Sequence, residues 1–166
     1  MSLPRLEWLR RMFRLETVHA HCDVPCGIYD PHEALVAAHT CVRMTDLIAE
    51  VSKKEGGELE QRNALVRYVA TKEEHAERCK HEVRVIWGDY FKEEHAKAFP
   101  ELHGLVWKIM RQGSRVRQTV EGPAALDLLE SVNRFAEIFW KTQQKDTHAV
   151  KAPYPTERPM TLPILK

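Results

Sequence analysis

Apolar positions along the chain recur with the helical period in four places. Between residues 32 and 53 they are Leu35, Val36, Ala38, Val42, Met44, Leu47, Ile48 and Val51, spaced by three and four, the mark of a helix with one buried face. Asp30-Pro31 suits its start, a carboxylate cap followed by a proline whose fixed φ fits the first turn. Lys53 and Lys54 complement its negative end, and Gly56-Gly57 stops it. A longer pattern covers 58–87 with Leu59, Leu65, Val69, Ala76, Cys79, Val83, Ile86 and Trp87. Inside it, Thr71-Lys72-Glu73-Glu74 resembles a capping box and allows a break near residue 71. Residues 88–100 predict a connection carrying a short helix. A third long helix is expected over 101–112 (Leu102, Leu105, Val106, Ile109, Met110), then a polar loop from Gly113 to Gly122. A fourth covers roughly 123–144, with Leu126, Leu129, Val132, Phe135, Phe139 and Trp140 inward. The expected fold class is all-α, an antiparallel four-helix bundle, preceded by an irregular N-terminal segment.

Past residue 146 the periodicity ends. The last sixteen residues hold prolines at 153, 155, 159 and 163. Proline removes backbone donors, so residues 146–166 are expected to be an extended tail, draped over a neighbouring subunit or disordered. The pentapeptide Lys-Glu-Glu-His-Ala occurs at 72–76 and at 92–96; nothing around it repeats, which makes it a coincidence of a Glu/Lys-rich chain.

Composition narrows the classes. The chain has 166 residues, 43% hydrophobic and 30% charged, with a formal net charge of +1. That is one domain able to bury a single core, without the basic field that would argue for nucleic acid. No apolar run approaches the roughly 18 residues of a membrane span. The charged stretches 53–60 and 72–82 read as solvated helix faces.

Residues 1–20 alternate arginines (5, 10, 11, 14) with Leu6, Trp8, Leu9, Met12 and Phe13, enough for a short amphipathic helix. They lack the continuous apolar region of a secretory signal, which points to the cytoplasm, with export as the alternative. Val18-His19-Ala20 has the small residue a cleavage site favours.

The chemistry concentrates in His21-Cys22-Asp23-Val24-Pro25-Cys26-Gly27-Ile28-Tyr29-Asp30-Pro31. An imidazole, two thiols and a carboxylate fall within six residues, in a stretch that Pro25 and Gly27 keep out of a helix. Two thiolates favour zinc, copper(I), iron–sulfur or nickel. A closed zinc site wants a second pair of ligands; Cys41 and Cys79 sit in helical patterns and read as buried small hydrophobes. A redox disulfide without metal leaves His21 unexplained. If the chain were cut before His21, a free amine would join the imidazole, and amine, backbone nitrogen and two thiolates make a planar set that nickel(II) accepts.

This stretch resembles the metal-binding hook of nickel superoxide dismutases, whose mature chains begin at the histidine. Val85 to Lys92, Phe99 to His103 and Ile138-Phe139-Trp140 match family segments in order, so the resemblance spans about 21–143. It implies disproportionation of superoxide to oxygen and hydrogen peroxide by a nickel ion, one per subunit, that alternates between the divalent and trivalent states. It implies a plane of ligands from the His21 amine, the Cys22 amide nitrogen and the Cys22 and Cys26 thiolates, with the His21 imidazole axial in the oxidised state. Tyr29 and Tyr90 would guide substrate and ordered water, and Asp23 would stabilise the hook. It also implies a homohexamer, and a processing protease that removes residues 1–20 between Ala20 and His21. The domain is then 21–145, and the uncut form should be inactive. The other function considered is a non-enzymatic metal-binding or metal-trafficking helical protein for nickel, copper or zinc.

Two positions depart from the family. A Glu in its first helix and an Arg in its second hold the axial imidazole; counting places Ala37 and His75 there. Alanine accepts no hydrogen bond, and histidine is shorter and only partly charged. His75, with Glu74 or Glu33, is the expected replacement. Elsewhere the chain lacks the two Glu-x-x-His pairs of a di-iron bundle, and it has no phosphate loop or nucleophile elbow.

Overall fold

The computed structural model of the chain describes residues 26–165. The leader 1–20, the expected ligands His21 and Cys22, and Asp23 lie outside the described residues. Among the described residues five α-helices occur in order: α1 (His32–Val51), α2 (Glu58–Val85), α3 (Glu93–Ala98), α4 (Leu102–Gln118) and α5 (Gly122–Thr142). The four long ones pack in a ring, α1 on α2, α2 on α4, α4 on α5 and α5 on α1. The core between them holds Leu35, Ala38, Cys41, Cys79, Val83, Leu102, Ile109, Leu128, Val132, Phe135 and Phe139. Cys41 and Cys79 are thus buried apolar groups, as expected, and burial pushes the Cys41 thiol up to about 12. No helix among the described residues is long and apolar enough to cross a membrane.

Both ends of α1 are written locally. The Asp30 carboxylate accepts the His32 amide hydrogen at 2.8 Å, satisfying one of the donors a helix start leaves open. At the other end Gly56 and Gly57 adopt φ of +73° and +63°, the left-handed region where a β-carbon is strained.

Three expectations need correction. No break occurs near residue 71: α2 runs unbroken through it, because Lys72 is only 1% exposed. Its Nζ donates to the carbonyl oxygens of Val116, Arg117 and Thr119. The stretch 72–82 is therefore not simply a solvated face. The loop expected from Gly113 is helix: α4 continues to Gln118, with Gly113 and Val116 buried. Gly113 is there because α2 passes close by; a β-carbon on it would lie 2.8 Å from Cγ of Lys80.

The third correction concerns the fold class, which is mostly helical with a small sheet rather than all-α. Strand β1 (Thr147–Lys151) pairs antiparallel with β2 (Pro159–Pro163), from Thr147 opposite Pro163 to Lys151 opposite Pro159. Two-stranded ribbons are marginal alone, and this one is docked. Ala152 and Met160 are buried in the common core. On α5, Asn133 donates to the Pro159 carbonyl at 3.1 Å and accepts from the Thr161 amide at 2.7 Å. Pro159 and Pro163 tolerate this because, alternating with Met160 and Leu162, their backbone nitrogens fall on the side of β2 away from β1, the side Thr161 turns to Asn133, where no ladder donor is needed. Tyr154, in the turn of the ribbon, meets the His39 ring of α1 edge-on, centroids 5.1 Å apart.

Candidate metal centre

Cys26 lies at the surface immediately before α1. The Ile28 N–H donates to its Sγ at 3.4 Å. Gly27 between them has φ of +72° with nothing within 4 Å of a would-be β-carbon. The turn thus requires glycine for its backbone, not for space. The sulfur is exposed, and thiolate is a soft donor that suits nickel. Cys26 therefore fits the ligand role. Among the described residues no group of three or more His, Cys, Asp or Glu forms a ready-made metal site.

Three residues past Cys26, the Tyr29 ring is half-buried and lies 5.7 Å, centroid to centroid, from Tyr90. The chain thus joins two of the residues singled out from sequence across about sixty positions. Tyr90 closes a single π-helical turn, Ile86–Tyr90, that ends α2; the Phe91 amide reaches back to the Ile86 carbonyl at 3.3 Å. Such a turn adds one residue to the helical repeat and re-aims the side chains beyond it. It sets Tyr90 among Phe139 at 4.7 Å, Phe91 at 5.2 Å and a stacked His95 at 5.5 Å. The Tyr90 hydroxyl is 2.7 Å from Oγ1 of Thr142, at the end of α5. From the same turn, Trp87 donates through Nε1 to Nδ1 of His103 at 2.9 Å.

His75 is half-buried on α2. Its Nδ1 donates to the Thr71 carbonyl of its own helix at 2.9 Å, since a carbonyl only accepts. Glu33 bonds Arg78 instead, one turn further along α2. Ala37 is 1% exposed, inside the core. The expected pairing of His75 with Glu33 or Glu74 is thus not among the hydrogen bonds of the described residues.

Sequence reasoning passed over Thr142 and Lys72. A threonine on the last turn of a helix carries no pattern of its own. A lysine followed by two glutamates reads as solvated, and only the neighbouring helix end shows otherwise.

The family model of nickel-containing superoxide dismutases matches residues 16–143. The chain belongs to the nickel-containing superoxide dismutase family. It is 34% identical over 137 residues to the "Superoxide dismutase [Ni]" of Streptomyces coelicolor, covering 82% of this chain and 98% of that protein. The corresponding protein of Streptomyces seoulensis is 31% identical over the same length. Among solved structures, native nickel superoxide dismutase superposes with a TM-score of 0.64 at 31% identity, over 74% of this chain and 99% of that one. The metal-free form superposes at 0.62, with 27% identity and 70% of this chain covered. Membership makes the chain an oxidoreductase that disproportionates superoxide with nickel as its cofactor, and sets aside the reading as a metal-trafficking protein. The ribbon of β1 and β2 lies beyond the matched residues.

Proposed function

We propose that the chain is the precursor of a nickel superoxide dismutase whose metal centre is made by its own N-terminus. Cleavage between Ala20 and His21 frees an amine. That amine, the Cys22 amide nitrogen, the thiolates of Cys22 and Cys26 and the His21 imidazole would hold the ion. When bound, nickel supplies the one-electron chemistry by alternating between its divalent and trivalent states. Asp23 ties the hook to itself by accepting backbone hydrogen bonds. Tyr29 and Tyr90 flank the approach, ordering substrate and water. The observation that carries this reading is the 5.7 Å pairing of Tyr90 with Tyr29, three residues past Cys26.

The ring of four long helices is the antiparallel four-helix bundle that carries the hook. His75, held by its Nδ1 bond, has Nε2 as its other ring nitrogen. The protein assembles as a homohexamer; exposed Trp107, at 68%, and Ile28, at 80%, suit burial between subunits. A protease in the cytoplasm completes the active form.

Protein purified from its native host tests this. Intact mass and metal content are expected to show a chain beginning at His21 with about one nickel, active on superoxide. A chain still carrying Ala20 that holds zinc and shows no activity would overturn it.

A further inference from the structure

Thr142 Oγ1 makes two short contacts. It is 2.6 Å from the carbonyl oxygen of Phe139 and 2.7 Å from the hydroxyl of Tyr90. A carbonyl has no hydrogen to give, so the single threonine proton goes to Phe139. The hydrogen between the two hydroxyls must then come from Tyr90. The phenol ring is held by Phe139, Phe91, His95 and Tyr29, all within 5.7 Å of it by centroid. Its hydroxyl therefore cannot swing to a different partner without repacking that cluster.

We infer that Thr142 is a positioning residue that commits the Tyr90 proton and leaves the Tyr90 oxygen as a hydrogen-bond acceptor toward the Tyr29 side. The consequence is a choice between species of opposite hydrogen-bonding character. Superoxide is an anion and accepts; a lone pair facing it repels it. Water and hydrogen peroxide each bring O–H donors. Tyr90 held in this way receives a hydrogen bond from ordered water or from the product, and gives no proton to the incoming anion. This rests on the placement of Tyr90 beside the proposed hook.

The test uses the full chain labelled at tyrosine ¹³Cζ, whose shift responds to what the hydroxyl does. Four resonances are expected, from Tyr29, Tyr68, Tyr90 and Tyr154, with Tyr90 identified by its loss in Tyr90→Phe. In metal-free protein, Thr142→Val should move the Tyr90 resonance and Thr142→Ser should restore it. In the nickel-loaded, processed enzyme, Thr142→Val should lower superoxide removal about three- to tenfold, the scale of one hydrogen bond. Thr142→Ser should stay within about twofold of the parent, and Thr142→Val added to Tyr90→Phe should cause no further loss. A Tyr90 resonance unmoved by Thr142→Val overturns the inference. So does full activity of Thr142→Val where Tyr90→Phe is impaired, an outcome that leaves the role of Tyr90 standing. Full activity of Tyr90→Phe overturns both.

Discussion

The ammonium of Lys72, in the middle of α2, donates to the carbonyl oxygen of Val116 where α4 ends. It also reaches Arg117, at 3.2 Å, and Thr119. The last carbonyls of a helix have no partner within it and carry the negative end of its dipole. One buried cation satisfies three of them and joins two helices of the ring.

Replacing Lys72 by Met keeps the aliphatic stem and removes the donors. The carbonyls at the end of α4 would then be left in a closed site, at a cost of about 2–3 kcal/mol. A fall in melting temperature of about 5–10 °C is expected for a chain of this size. Thermal unfolding of the metal-free variant checks it; an unchanged transition would mean that water replaces the ammonium.

His39 predicts an acid sensitivity of the ribbon. The imidazole is 3% exposed, and neither ring nitrogen has a hydrogen-bond partner among the described residues. Burial holds its pKa below the ordinary 6.5; the Pro159 carbonyl, outside hydrogen-bonding geometry, pulls the other way by less. The unfolded chain therefore takes up the proton first as pH falls through 6.5. Stability is present above that pH and is lost below it, down to the folded value. Unfolding measured from about pH 7.5 to about pH 5.5 should show that loss, and His39→Leu should reduce its slope. Equal slopes in the two proteins would assign the acid sensitivity to other groups.

The cysteines should separate by variant. Cys26→Ser, at the exposed turn, is expected to abolish nickel binding and activity while the metal-free melting temperature moves by no more than about 1 °C. Cys41→Ala removes a buried thiol in the core, so stability should drop by about 1 kcal/mol with nickel content unchanged. Nickel retained at full stoichiometry in Cys26→Ser would remove Cys26 from the ligand set.

Ala37 and His75 can be returned to the family's Glu and Arg. Ala37 is enclosed by the core, so Ala37→Glu alone should destabilise by on the order of 2–4 kcal/mol through an unpaired buried carboxylate. Adding His75→Arg should recover part of that if the two side chains meet. Steady-state rates read the functional side: no rise in the double variant would show that these positions do not limit the enzyme.

The family was legible because the residues that carry the resemblance, His21 to Pro31, fall together in the chain. Four of the helices were legible for a similar reason, since a buried stripe repeats at short range. Their ends were less so. Gly113 reads as a stop in sequence; only the passage of Lys80 beside it explains a glycine in the middle of a helix. Lys72 looks like any surface lysine until α4 ends on top of it.

By itself the sequence determined the helical period and the Asp30 cap of α1, because each depends on residues within one or two turns of each other, and it carried the resemblance from which nickel chemistry was expected. Only the tertiary structure decided that a proline-rich tail becomes a docked ribbon, held by Asn133 and covering His39. It alone brought Tyr29, Tyr90 and Thr142 together. Those contacts join residues far apart in the chain. Their stabilisation comes from surface that exists only after the helices have packed.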